Sequence, residues 1–84
     1  MMNRCAMLGI IVEDRSQIAE LNGLLSKYSE HIIGRMGLPH RVNGGKEISM
    51  ISIAMEAPED VISALSGKIG MINGISAKVI YAKK

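Results

Sequence analysis

An α+β sandwich, with two helices covering one face of a four-stranded antiparallel sheet, is the fold class that this sequence predicts. Two segments with apolar residues at helical spacing alternate with four short apolar segments, in the order β-α-β-β-α-β. The chain has 84 residues, which is enough for one domain, residues 1–84. Apolar residues make up 48% and charged residues 21%, a balance typical of a folded domain.

The first strand and the first helix are predicted over residues 4–12 and roughly 15–29. Residues 4–12 are apolar and β-branched toward their end, as in a buried strand. Asp14 or Ser16 is suited to cap the helix, because its side-chain oxygen can accept from the first free backbone N–H groups. The apolar stripe of the helix consists of Ile18, Leu21, Leu25 and Tyr28, widened by Leu24.

The second and third strands are predicted as a hairpin with a long loop. Residues 31–38 form the weaker strand, in which two glycines indicate a bulge or a close backbone approach. Pro39 is expected to end regular pairing, and Asn43-Gly44-Gly45 is a strong turn signal. Residues 46–55 then form the clearest strand of the chain.

The second helix begins near Pro58, which suits a first helical turn because it has no N–H to leave unpaired. Asn73-Gly74 is a typical helix stop, and residues 75–82 alternate as a final strand. The predicted apolar stripe of this helix is Val61, Leu65, Ile69 and Ile72, with Ile62 beside it. This order of elements is that of a ferredoxin-like fold, in which strands one and three are central.

Both faces of the two central strands lack charge. One set of alternating residues is bulky and suits the face under the helices: Leu8, Ile10, Val12, Ile51, Ile53 and Met55. The opposite set is small or flexible: Cys5, Met7, Gly9, Ile11, Met50, Ser52 and Ala54. A sheet face open to water should be polar, so we expect a second subunit to cover this face in a homodimer or homotetramer. The alternative is that long edge side chains such as Arg35 and Lys78 fold over it.

Composition argues against several other classes of partner. A net charge of +2 without a basic cluster, and only two aromatic residues, do not predict direct nucleic-acid binding. No apolar run approaches the roughly 20 residues of a membrane span. The single cysteine fits a reducing cytoplasm.

Two loops are candidate sites for a small anionic effector. The junction between the first strand and the first helix presents a helix N-terminus, and the predicted loop 37–45 carries basic side chains beside glycine backbone. The alternative interpretation of residues 37–45 is a solvated loop without a ligand. For the junction, the alternative is that its residues only form a turn and a helix cap. The candidate residues are Glu13, Asp14, Arg15, Ser16, Gln17, Arg35, His40 and Arg41.

A metal site is the rival hypothesis. Cys5, His31 and His40 are residue types that bind Ni, Zn or Fe, and a subunit interface could complete the set of ligands. Their spacing matches no compact metal motif, so a small buried cysteine and two solvated histidines are the alternative. The dinucleotide, phosphate-loop and zinc-protease motifs are also absent, and the cofactor stays unidentified.

An enzyme is the third hypothesis. Acylphosphatases share this size and fold, and Arg15 lies in the neighbourhood of their phosphate-binding arginine. The glycine-rich loop that would cradle the phosphate is missing ahead of the first helix. We therefore expect a non-catalytic protein.

The segment Asp14-Arg15, followed by Ile18-Ala19-Glu20-Leu21 and Leu24-Leu25, resembles the start of an ACT domain. The resemblance implies a regulatory module that binds small effectors at a dimer interface. Ser16-Gln17 stands where ACT domains usually carry Pro-Gly. The second half, from Glu47 to Tyr81, is similar to the ACT-like C-terminal domain of nickel-responsive repressors, which implies fold and tetramer-type assembly without their nickel ligands.

Two long stretches, DRSQIAELNGLLSKYSEHIIGRMGLPH and SMISIAMEAPEDVISALSGKIGMINGISAKVIYAK, resemble small stand-alone regulators of the iron-only hydrogenase system. This resemblance covers nearly the whole chain. It implies a regulatory role, and because the sequence shows no DNA-binding element, that role would be exerted through a protein partner.

Overall fold

The structure is a computed structural model that describes residues 2–83, and it confirms the ferredoxin-like α+β arrangement. The elements follow in the predicted order: β1 Asn3–Val12, α1 Ile18–Lys27, β2 Ile32–Val42, β3 Lys46–Pro58, α2 Glu59–Gly70 and β4 Ile75–Tyr81. The strands form one antiparallel sheet in the order β2-β3-β1-β4, so β1 and β3 are central as predicted. No helix within residues 2–83 is long and apolar enough to cross a membrane.

The first helix is shorter than predicted because its ends tighten into 3-10 turns. One such turn, Arg15–Gln17, precedes α1, and another, Ser29–His31, follows it. Asp14 is the cap, since its carboxylate accepts from the Ser16 backbone N–H at 3.0 Å and from the Ser16 hydroxyl at 2.6 Å. The cap therefore lies at the first of the two predicted positions.

The predicted long loop at 37–45 is wrong. β2 runs through Pro39 to Val42, and the turn contains only residues 43–45. Proline is tolerated because β2 is an edge strand, where a missing N–H can lie on the unpaired side. Asn43 and Gly44 adopt the positive φ values of 47° and 77° that such a tight turn requires. The predicted bulge is present, as a register shift between Ile32 and Gly34.

One face of the sheet and the two helices enclose the core. All six residues assigned to the covered face of β1 and β3 are buried, and Leu8, Val12, Ile53 and Met55 are fully so. From α1, Leu21 and Leu25 complete the core. In α2 the stripe is rotated slightly from the prediction, because Ile62 is fully buried and Val61 only partly.

Gly74 joins the end of α2 to β4 and packs against the start of the first helical turn. Its carbonyl accepts from the backbone N–H groups of Glu13 at 2.7 Å and Asp14 at 3.3 Å. Its φ is 77°, and a Cβ added there would lie 2.5 Å from the Asp14 Cβ. The position therefore requires glycine on two independent grounds.

Candidate functional site

The face of the sheet opposite the helices, called here the open face, is apolar and uncovered in the single chain. Direct cross-strand partners place Met36, Ser52, Gly9 and Lys78 in one row, flanked by the row Leu38, Met50, Ile11 and Ser76 and by the row Gly34, Ala54, Met7 and Ile80. Ile33 joins this surface, since it lines a shallow depression with Met7 and Ile80. Seven of the nine exposed large hydrophobic side chains described lie here: Met7, Ile11, Ile33, Met36, Leu38, Met50 and Ile80.

A groove crosses the open face along the row that contains Gly9. It has a volume of about 520 Å³, and Ile11, Met36, Leu38 and Met50 supply its apolar walls on this face. Gly9 leaves a gap at the centre, because a Cβ added there would meet no atom within 4 Å. Ser52 and Ser76 contribute hydroxyl groups, and Lys78 is the one ionisable side chain among the described residues of the lining.

The interpretation that long edge side chains cover this face is wrong for Arg35. Arg35 is the cross-strand partner of the buried Ile53, and its guanidinium donates to the Asn22 Oδ1 of α1 at 2.8 Å. It therefore lies on the helix side. Lys78 does lie on the open face, but at its edge, and the central residues Met7 and Ile11 remain 44% and 42% exposed.

The predicted anion site at the β1–α1 junction lies beside the turn of the β2–β3 hairpin. The Arg15 guanidinium contacts the Glu47 carboxylate at 2.7 Å, and the Lys46 ammonium lies 3.9 Å from the Glu13 carboxylate. Arg41 is the cross-strand partner of that same Glu47. The structure thus brings residues 13–17 close to one end of the hairpin, where acids already accompany the cations.

Four of the five backbone N–H groups of this junction, residues 13–17, have acceptors within the described chain. Those of Glu13 and Asp14 donate to Gly74, that of Ser16 to the Asp14 carboxylate, and that of Gln17 to the Asp14 carbonyl at 3.0 Å. The Ser16 hydroxyl and then the Ser16 amide are the main causes that lower the pKa of Asp14 from its ordinary value of 3.8. An anion would compete here with a carboxylate that is already bound.

The other predicted anion ligands lie elsewhere. Arg35 is on the helix side, and His40 shares a face with Leu38 and Ile48 near the tip of the hairpin. The structure therefore places these two side chains on opposite faces of the sheet. Binding of an anion at any of these residues remains a prediction.

The predicted metal ligands do not meet within one chain. No group of three His, Cys, Asp or Glu side chains in the part of the chain that the structure describes could hold a metal ion. Cys5 is the cross-strand partner of Glu56, and His40 is the cross-strand partner of Ile48. Glu56 and Ile48 both belong to β3, where they lie eight positions apart. Eight residues of strand span roughly 27 Å. The metal hypothesis therefore requires ligands from more than one chain. The same holds for a site that contains the half-buried His31.

Sequence reasoning missed Arg4, which is the most connected cation in the described structure. Its guanidinium pairs with Glu59 at 2.9 Å, donates to the Ala82 carbonyl at 3.2 Å and lies 4.3 Å from the Tyr81 ring centroid. These contacts tie β1 to α2 and to the end of β4, and they border a second cavity of about 570 Å³. Its partners lie 55 and 78 residues away along the chain, so no local pattern indicated them.

Solved structures first define the class of the fold. A protein from Thermus thermophilus that is described as a "putative PII-like signaling protein" has a TM-score of 0.60 at 17% identity, covering 98% of this chain and 91% of that one. The structure of CPII from Thiomonas intermedia, bound to ADP, AMP and acetate, has a TM-score of 0.57 at 17% identity, covering 99% and 91%. These similarities support the fold.

The particular family follows from closer similarity. The structure of TM1266 from Thermotoga maritima has a TM-score of 0.87 at 36% identity, covering 96% of this chain and 99% of that one. The model of the TM1266-like family, described as "Iron-only hydrogenase system regulator, putative", matches residues 4–79. The chain belongs to the TM1266-like family. No curated protein matches it, and the similarity to nickel-responsive repressors remains a prediction.

Proposed function

We propose that this chain is a non-catalytic regulatory module that senses a small effector and assembles through its open face as a homodimer or homotetramer. The observation that carries the proposal is the concentration of seven exposed large apolar side chains on one face of the sheet. Monomeric proteins rarely expose an apolar patch larger than a few hundred Å². A second copy of the same face supplies a matching apolar surface under two-fold symmetry.

The regulatory part of the proposal draws its support from the family description and from the PII-like fold neighbours. CPII is bound to ADP, AMP and acetate, so a chain of this fold class can hold small anionic ligands. We propose that the chain acts on the iron-only hydrogenase system in the cytoplasm through a protein partner. Direct binding to nucleic acid is not part of the proposal, because the net charge is only +2.

Sedimentation velocity tests the assembly. The wild-type chain should sediment as a dimer or tetramer at micromolar concentration. Ile11→Arg places a charge at the centre of the open face and should weaken self-association by at least a hundredfold, with an unchanged far-UV circular dichroism spectrum. Met50→Lys should act in the same way, and it serves as the second variant should Ile11→Arg fail to fold.

Ser26→Arg is the matched control, because Ser26 is exposed on α1, on the other side of the sheet. This variant should assemble as the wild type does. A wild-type monomer at 100 μM, or variants of the open face that keep the wild-type assembly, would refute the proposal.

The regulatory role is tested in a host that expresses the chain and an iron-only hydrogenase. Deletion of the chain should change hydrogenase activity in cell extracts, and the wild type should restore it. Ile11→Arg should not restore activity if the assembled form is the regulator. Unchanged hydrogenase activity after deletion would remove the link to that system.

A further inference from the structure

We infer that the groove across the open face is the effector site and that it takes a small amphipathic carboxylate. The alkyl part would lie along Gly9 and Ser52 toward Met36, and the carboxylate would bind the Lys78 ammonium. The inference rests on the proposed function, since it assigns a site and a ligand class to the proposed sensor.

The shape of the groove fits such a ligand. Its volume of about 520 Å³ lies within the range of about 300–1,000 Å³ that is usual for small-molecule sites. The row from Met36 to Lys78 crosses three strand spacings, roughly 14 Å, which is close to the length of an extended ten-carbon carboxylate. Gly9 and Ser52 keep the middle of this row low, whereas Ile11 and Met50 form the wall beside it.

The charge distribution distinguishes this groove from two places where an arginine is already paired with a carboxylate. At the β1–α1 junction Arg15 is paired with Glu47, and at the end of the sheet Arg4 is paired with Glu59. Lys78 has no ion pair among the described residues 2–83. An anion at Lys78 therefore gains a charge-assisted hydrogen bond without displacing a carboxylate of the described chain.

Assembly strengthens the site. A second copy on the open face would cover the groove and exclude water from it, and the attraction between an ammonium and a carboxylate grows as the local dielectric constant falls. The apolar walls would then surround the alkyl chain from two subunits. The ligand would thereby favour the assembled form, as a sensor requires.

Binding of decanoate tests the inference. We expect isothermal titration of the wild-type oligomer at pH 7 to show saturable binding of decanoate, with native mass spectrometry giving the number bound per chain. Lys78→Met keeps the length of the side chain and removes its charge, so it should weaken decanoate binding tenfold or more. Gly9→Leu fills the centre of the groove and should weaken it at least tenfold.

Two controls test whether binding depends on the position of the lysine and on the charge of the ligand. Lys27→Met removes an exposed lysine of α1, on the helix side of the sheet, and should leave decanoate binding unchanged. Decan-1-ol lacks the carboxylate and should bind the wild type at least tenfold more weakly. Lys78→Met keeps the test valid if Gly9→Leu disturbs folding.

The outcomes separate this inference from the proposed function. An oligomer that does not bind decanoate, or binds it equally well after Lys78→Met, overturns the groove as a carboxylate site and leaves the assembly in place. A wild-type monomer in sedimentation of the same sample overturns the proposed assembly and with it the inference that rests on it. Decanoate binding that is weakened tenfold or more in Lys78→Met and Gly9→Leu, and unchanged in Lys27→Met, supports the inference.

Discussion

The two faces of one sheet have similar apolar character, yet the chain covers only one of them. On β1, Leu8 is fully buried under the helices, whereas the adjacent Met7 is 44% exposed on the open face. The same contrast holds on β3 between Ile53 and Met50. Residues 5–12 of β1 and 50–55 of β3 present uncharged side chains on both faces, so hydropathy alone does not distinguish the two faces there.

The difference lies in size and in what the rest of the chain supplies. The covered face carries branched aliphatic side chains that fit against α1 and α2. The centre of the open face carries Gly9, Ser52 and Ala54 between methionines, which give a lower and more adaptable surface. A sheet with two apolar faces and one layer of helices leaves one apolar face uncovered in the single chain, and this is the face on which we propose that a second copy packs.

The largest expected effect is loss of stability from the covered face. Leu8→Ala removes a fully buried side chain and leaves a cavity, so the free energy of unfolding should fall by about 2–5 kcal/mol. Met7→Ala, the neighbouring change on the open face, should cost less than about 1 kcal/mol within one chain and act mainly on assembly. Urea unfolding at matched protein concentration measures the first effect, and sedimentation measures the second. Equal losses of unfolding free energy would abolish the distinction between the faces.

A smaller effect should follow at the contact between Gly74 and Asp14, which joins the end of α2 to the turn before α1. Gly74→Ala brings a Cβ to 2.5 Å from the Asp14 Cβ and forces alanine to a φ near 77°, so we expect a loss of about 1–3 kcal/mol in thermal or urea unfolding. Gly67→Ala is the matched control. Gly67 is exposed in α2 with open space around it, and alanine there should stabilise by about 0.5–1 kcal/mol. An unchanged free energy of unfolding in Gly74→Ala would show that the backbone around Gly74 and Asp14 adjusts to the added Cβ without cost.

Alternation along β1 and β3 was enough to predict which side chains face the helices, because a period of two leaves one solution once the strands are assigned. The path of β2 was not predictable in this way, because Pro39 is a break signal whose effect depends on whether the strand is an edge. That error assigned His40 and Arg41 to a loop, although both belong to β2. The alternating pattern of residues 75–82 was enough to assign Lys78 to a strand. Its position beside Gly9 follows only from the register of the β1–β4 pairing. The contact between Gly74 and Asp14 joins two turns about 60 residues apart, which no local pattern reveals.

The smallest expected effect concerns pH at the start of the helical layer, where Asp14 accepts from the hydroxyl and the amide of Ser16. These hydrogen bonds lower the pKa of Asp14 below 3.8 in the folded chain, so their stabilisation is complete at neutral pH and is lost as pH falls through the folded value. Ser16→Ala should raise the pKa of Asp14 toward 3.8 in a carbon-13 NMR titration of the carboxyl group. It should also destabilise the chain more at pH 7 than at pH 2.5. Ser26→Ala, an exposed serine of α1, should show no such pH dependence. If Asp14 titrates at its ordinary value in the wild type, the cap does not favour the charged carboxylate and the start of this layer is held by Gly74 alone.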